Sequence, residues 1–396
     1  MAKITAIARG PLNLNDEKVE DIRLAGLLHD IGHYPYSHLM ERVDKVQLTE
    51  EIIAKNTTVL SSHIPYPDHE QVGEWIVTNQ ADMVEALGGA DRAGRVASLF
   101  TRNTSADPQI SKLIHSSLDM DRLDYLIRDA RATGVPHGEI DLNYLVNNFR
   151  LSPSGVLGVR EKAITAVDQF LTARFYMHRS VYYHKTTFGL EEACRQLLRR
   201  VRDAKLFELP TDGASIERHV KSDRLSGFTD SYVDRIVDEA SHHANGVIKA
   251  LANSIRRRRP PKRLREVQVL EPNTSQHHAG EIFMRECKHR LKKLADDNSI
   301  PLGRFLLAAT KPLRLEERGA LLTDAEAKKL KPDERQEIIR VFVDGSEEPV
   351  SVVDVRHSLT HLCSNHYYQT FRLYLVPDDD TTEDLITSLR AEVGSW

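Results

Sequence analysis

The chain has 396 residues, 40% of them hydrophobic and 28% charged, with a net charge of −4 and a pI near 6.5. That length predicts two or three domains with a real core, and the composition excludes disorder for the bulk of the chain. The charge gives no global argument for nucleic-acid binding, which would have to rest on a local patch.

Three widely spaced cysteines with no CxxC pair argue against a disulfide framework and for the reducing cytoplasm. The N-terminal stretch lacks a long apolar core, so no signal peptide is expected. No run reaches the roughly 18 apolar residues of a spanning helix.

In chain order, Val19, Ile22, Leu24, Leu27 and Leu28 recur at helical spacing and predict a helix over 17–30, with Asn15 or Asp16 as its cap. Pro35 interrupts the pattern, and Ser37 is expected to cap a new helix through Leu39, Met40 and Val43. Periodicity predicts further helices over 69–88, 109–130, 162–184 and 187–205. Few convincing strands precede residue 260. Beyond it, 256–272 turns from a basic run through two prolines into an alternating stretch. The segments 337–345, 349–355 and 370–376 are β-branched and aromatic, with turn signals between them. A short terminal helix is expected to close the chain. The expected fold is mainly α: a helical domain over 1–255, then a smaller α+β region over 256–396.

The segment LLHDIGHYPYSH (27–38) crowds three histidines and an aspartate into the ten residues from His29 to His38. An adjacent imidazole and carboxylate at a helix end can share one metal ion, and mixed N/O ligation suits several divalent ions. On a helix His29 and His33 share a face. Gly32 and Pro35 provide a turn that brings His38 back toward the same pocket. Glu41, three residues on, can tune His38 as an acid or base.

In 117–135, Asp121, Tyr125 and Asp129 are spaced i, i+4, i+8 and form one stripe. Buried, such a stripe needs a ligand, a metal or basic partners. Otherwise it is a solvated face paired with Arg122 and Arg128. In 172–185, Arg174, His178 and Tyr182 repeat the spacing and Lys185 follows. This cationic stripe suits a phosphate chain with a sugar or base; its alternative is a solvated face.

With these motifs in this order over residues 22 to 190, the sequence resembles the HD-domain deoxynucleoside triphosphate triphosphohydrolases. The resemblance implies an HD-domain helical core and hydrolysis of a dNTP to a deoxynucleoside and inorganic triphosphate. It also implies a divalent metal ion (Mn, Fe, Mg, Zn or Ni). His29, Asp30 and Asp121 resemble the metal ligands, and His33 and His38 the active-site histidines, with Glu41 as acidic partner. His69, in DHEQ, resembles the histidine that protonates the leaving oxygen. Arg122, Arg174, His178 and Lys185 resemble phosphate contacts. Tyr125 and Asp129 resemble the residues facing the sugar, and Tyr182 the tyrosine packed where a 2′-hydroxyl would sit.

The family's first metal-binding histidine precedes the HD pair, and no histidine precedes His29 here. A shortened start, a three-ligand site with His63 as a possible replacement, and a degenerate nucleotide-binding subunit are the alternatives. Another HD phosphohydrolase acting on a different nucleotide is a further one. A homo-oligomer is implied by resemblance alone. The basic residues Arg256 to Arg265 read as a solvated linker or, as the resemblance implies, a nucleotide effector site; nucleic acid is disfavoured because no aromatic residues interleave with them.

Overall fold

The computed structural model describes residues 9, 13–54, 65–101, 110, 114, 116–153, 156–222, 225–272, 279–316 and 338–396. His63 lies outside them. Among the described residues no helix is long and apolar enough to cross a membrane. The fold is mainly α, with two small sheets. It divides into two compact units, each assembled from separate stretches of chain. The first takes Met1–Gly32, Gly73–Val181 and Leu313–Tyr367; the second takes His33–Val72, Tyr182–Pro312 and Tyr368–Trp396. Residue 255, the expected domain boundary, falls inside the second.

In the first unit, the Asn15 side chain accepts from the Lys18 N–H at 2.8 Å and starts a helix over Asp16–Leu28. Its buried face carries Ile22, Ala25 and also Asp21, a charge tolerable there only if paired. Arg92 and Arg95, on the helix Ala90–Phe100, meet it at 2.8 and 3.2 Å. The helix Met120–Thr133 starts on Asp119, which accepts the Arg122 N–H, and stops at Gly134, whose φ of +70° needs no Cβ. Leu123, Leu126 and Ala130 face the core. The helix Ile164–Met177 buries Phe170, Leu171 and Met177. Its Asp168 accepts from Leu359 N and Thr360 N, securing the start of the short helix Leu359–Cys363.

A four-stranded sheet lies in the same unit: β1 (Phe149–Leu151), β2 (Leu157–Arg160), β5 (Arg340–Phe342) and β6 (Val350–Ser351), in that spatial order. The β2–β5 pair is parallel and its neighbours are antiparallel.

The second unit centres on the helix Lys185–Asp203, packed by Gly246–Arg256, on which Asp230–Ala240 packs in turn. Its buried arginines are answered locally. Arg202 pairs with Asp44, and Arg199 donates to the Val46 carbonyl and pairs with Asp203 and Glu51. The sheet here runs β3 (Lys262–Pro272), β7 (His366–Leu375), β4 (Phe305–Ala309). In it Phe305 faces Leu375 in an antiparallel register. Helices Ala279–Asp297 and Glu383–Gly394 pack on β3.

Several expected elements are corrected. The first helix ends at Leu28, so His29 and His33 do not share a helical face. Ser37 makes no side-chain cap, and only His38–Glu41 is α-helical before a 3-10 turn over Val43–Lys45. The helix expected over 69–88 breaks at Gln80 into His69–Asn79 and Ala81–Ala86. The one expected from 109 begins at Met120. Residues 178–182 form a π turn, so the α-helical register behind Arg174, His178 and Tyr182 ends at Met177. Of 349–355, only Val350–Ser351 is strand.

Candidate metal centre and histidine cluster

In the first unit, His29, Asp30 and Asp121 converge, one ligand atom from each lying within 4.8 Å of the others. His29 sits at the C-cap of its helix and Asp121 in the first turn of the helix Met120–Thr133. The His29 ring is oriented by its Nδ1, 3.1 Å from the Gly26 carbonyl, which fixes the proton there. Nε2 therefore carries the lone pair. It is buried without a hydrogen-bond partner, 3.3 Å from an Asp30 oxygen and 3.8 Å from an Asp121 oxygen.

A lone pair aimed at two carboxylates is repulsive unless a proton or a metal cation lies between them. Burial, followed by the Asp119 charge, raises the Asp121 carboxyl above its ordinary range. The donor set of one imidazole and two carboxylates fits a divalent ion.

The same unit carries Arg122, Tyr125 and Asp129 on the helix Met120–Thr133, Arg174 on the helix Ile164–Met177, and His178 just beyond it. Arg122 folds back onto Asp119 and the Ser116 carbonyl. Arg128 pairs with Asp124 on the exposed face. Tyr125 and Asp129 are half-buried, and burial raises the Tyr125 phenol against the opposing charges of Arg122 and Arg174. Arg174 is 2% exposed. His178 opens the π turn, a local irregularity frequent at functional sites.

In the second unit, His33, His38, Glu41 and His69 converge. His33 and His69 stack with ring centroids 4.1 Å apart and planes at 6°. His38 meets both edge-on, at 4.8 and 5.1 Å. Glu41 Oε2 lies 2.6 Å from His38 Nδ1 and 3.6 Å from His69 Nδ1. Burial alone would raise the Glu41 carboxyl, but its hydrogen bond to His38 and its ion pair with His69 outweigh that and hold it well below the usual carboxylate range. The histidines thus share one fixed negative charge.

Tyr182 also lies in this unit. Lys185 is exposed at the start of its helix and lines a cavity of about 570 Å³ with Lys262, Arg263, Arg265 and Arg390. The preceding basic run is largely neutralised within the fold. Arg256 pairs with Asp238, and Arg257 and Arg259 both pair with Asp379.

Sequence reasoning missed Tyr36, Asp230 and Asp234, which adjoin the histidine turn. Only the positive φ of Tyr36 marks that contact, and no spacing rule reveals it.

These two clusters sit in a recognisable class of domain. Residues 1–129 match the HD domain, and residues 140–307 match the HD associated region. HD domains bind divalent metals, and the domain implies metal-dependent phosphohydrolase chemistry.

An uncharacterized protein of Bacillus subtilis, YwfO, is 28% identical over 50% of this chain and 40% of its own length. A deoxynucleoside triphosphate triphosphohydrolase SAMHD1 homolog of Dictyostelium discoideum is 23% identical over 47% of this chain and 34% of its own. The match to YwfO thus spans about two fifths of that relative. Among solved structures, a hypothetical protein from Aquifex aeolicus shares the fold with a TM-score of 0.62 at 20% identity, covering 99% of this chain and 83% of that one. A phosphohydrolase from Bacteroides thetaiotaomicron does so at 0.60 and 19%, covering 94% and 83%.

Proposed function

We propose that this chain is a metal-dependent phosphohydrolase that converts dNTPs to deoxynucleosides and inorganic triphosphate. The observation that carries it is the His29 Nε2 lone pair, buried and aimed at two carboxylates. His29, Asp30 and Asp121 would hold the ion. A bound divalent ion polarises a phosphoryl oxygen and makes water a competent nucleophile at neutral pH.

The chain's own groups do the rest. Glu41, ionised throughout the neutral range, orients His38 through Nδ1. The leaving 5′ oxygen takes its proton from His69 or His38, with His33 stacked on His69. Arg122, Arg174, His178 and Lys185 offset triphosphate charge. Tyr125, Asp129 and Tyr182 face the sugar. The distant resemblance to the Dictyostelium triphosphohydrolase homolog supports the substrate class.

The basic cavity at Lys262, Arg263, Arg265 and Arg390 is the proposed place for a nucleotide effector, in a homo-oligomer. The buried free thiols of Cys194 and Cys287 suit the cytoplasm.

Anion-exchange analysis of products, with each dNTP, Mn²⁺ and a mixture of candidate activators, tests this reading. Release of inorganic triphosphate supports it. Release of dNMP and pyrophosphate replaces it with a different HD phosphohydrolase. Nucleotide binding without any product replaces it with a degenerate regulatory subunit.

A further inference from the structure

The turn between His33 and His38 has an unfavourable backbone. Tyr36 and Ser37 are consecutive non-glycine residues with φ of 57° and 56°. Side chains of L-residues disfavour this region, which persists only where the surroundings over-determine it.

One neighbouring helix does so twice. The Tyr36 N–H donates to Asp230 Oδ1 at 2.7 Å, and the Tyr36 hydroxyl donates to Asp234 Oδ1 at 2.5 Å. Asp230 and Asp234 are four apart and share one face of the helix Asp230–Ala240. That helix is anchored on its other side by Tyr232, Val233, Ile236 and Val237. Asp230 stands in its first turn, and its carboxylate is engaged by the Tyr36 N–H.

The turn in its place sets both imidazoles. Ser37 Oγ lies 3.1 Å from His33 Nδ1, and His38 begins the next helical turn, where Glu41 fixes it. We infer that Tyr36, Asp230 and Asp234 form a clamp that holds this left-handed turn and so positions His33 and His38. They are positioning residues and touch no reacting atom. The effect on rate rests on the proposed phosphohydrolase reading; the effect on the imidazoles does not.

Three variants test the clamp. Asp230→Ala removes the acceptor for the Tyr36 N–H, Tyr36→Phe removes the hydroxyl, and Asp230→Asn keeps an acceptor oxygen. Two readouts are taken on the full chain: kcat and KM for dNTP hydrolysis, and imidazole ¹⁵N shifts of histidine-labelled protein at one fixed pH. His33→Gln and His38→Gln assign the signals.

In Asp230→Ala, kcat falls on the order of 10- to 100-fold with KM little changed. The His33 and His38 signals move, and Asp230→Asn recovers most of both. Tyr36→Phe shows the same pattern at smaller amplitude and stands in if Asp230→Ala does not fold. Imidazole signals unmoved in the folded variants overturn the clamp, as does a rate loss that Asp230→Asn fails to recover. If the parent chain hydrolyses no dNTP, the functional reading fails separately and the imidazole shifts still decide the clamp.

Discussion

Replacing Asp121 by asparagine separates the contribution of the metal from that of the fold. Without metal, the His29 Nε2 lone pair faces carboxylate oxygens at 3.3 and 3.8 Å, and burial with Asp119 already raises the Asp121 carboxyl. Asparagine removes one charge from this crowd, so the metal-free variant melts no lower than the parent. Metal reverses the order. A ligand that binds only the folded state stabilises it by about 2.7 kcal/mol at a hundredfold excess over Kd. Losing one of three ligands weakens affinity at least as much as losing an outer partner, on the order of 100-fold. The same metal concentration then only equals the variant's Kd, and stabilisation drops to RT ln 2, about 0.4 kcal/mol. For a unit of roughly 200 residues, the parent's midpoint rises by roughly 5–10 °C and the variant's by about 1 °C. Scanning fluorimetry of chelator-stripped protein with Mn²⁺ titrated in reads both numbers. A parent midpoint indifferent to Mn²⁺, Fe²⁺, Mg²⁺, Zn²⁺ and Ni²⁺ refutes the metal centre. An equal rise in parent and variant removes Asp121 from it.

Glu41→Gln lowers stability at pH 7. The folded carboxyl of Glu41 lies below its ordinary value, so its contribution is present above about pH 4.3 and disappears as the pH falls below that. Urea melts at pH 7 and pH 3 should show the gap to the parent closing; a gap of constant size contradicts the linkage. Gly138→Ala would put a Cβ 2.2 Å from the Ala130 Cβ and 2.9 Å from the Leu126 carbonyl oxygen. Denaturant melts should show a loss of about 1–3 kcal/mol, and no loss would mean the Pro136–Gly138 turn yields freely. Arg128→Ala breaks an exposed pair with Asp124 and should leave stability within about 0.5 kcal/mol of the parent and hydrolysis unchanged. A marked fall in kcat would give Arg128 a role in the site that its exposed position does not suggest.

The mainly helical fold was readable because its long helices carry their own signals. Asn15 does cap the first helix, and the apolar period over 187–205 corresponds to Lys185–Asp203. Boundaries failed where tertiary contacts decide them. Nothing in the local pattern says that the helix ending at Leu28 will leave His29 in a cap, or that Gln80 separates two helices. The strands β1 and β2 were missed because each is only three or four residues long, and the pair they form is completed by β5 beside β2, far along the chain. A strand whose partner lies about 180 residues away leaves little periodicity of its own to read.

The site divides along the same line. His29, Asp30 and Asp121, and separately His33, His38, Glu41 and His69, converge from motifs that residue type and spacing single out. What holds them has no such signature. Ser37 reads as a helix cap because serine favours that position, yet its hydroxyl lies against His33 and its backbone is left-handed. The reason is Tyr36, whose N–H and hydroxyl both reach carboxylates about 200 residues away. A cap preference is a weak, local free energy, and two hydrogen bonds to an anchored helix outweigh it. Local rules therefore find the groups that do chemistry and miss the groups that aim them. The clamp variants, which change no histidine and no proposed metal ligand, separate those two kinds of residue: they should move the imidazoles while leaving the metal-dependent rise in melting temperature intact.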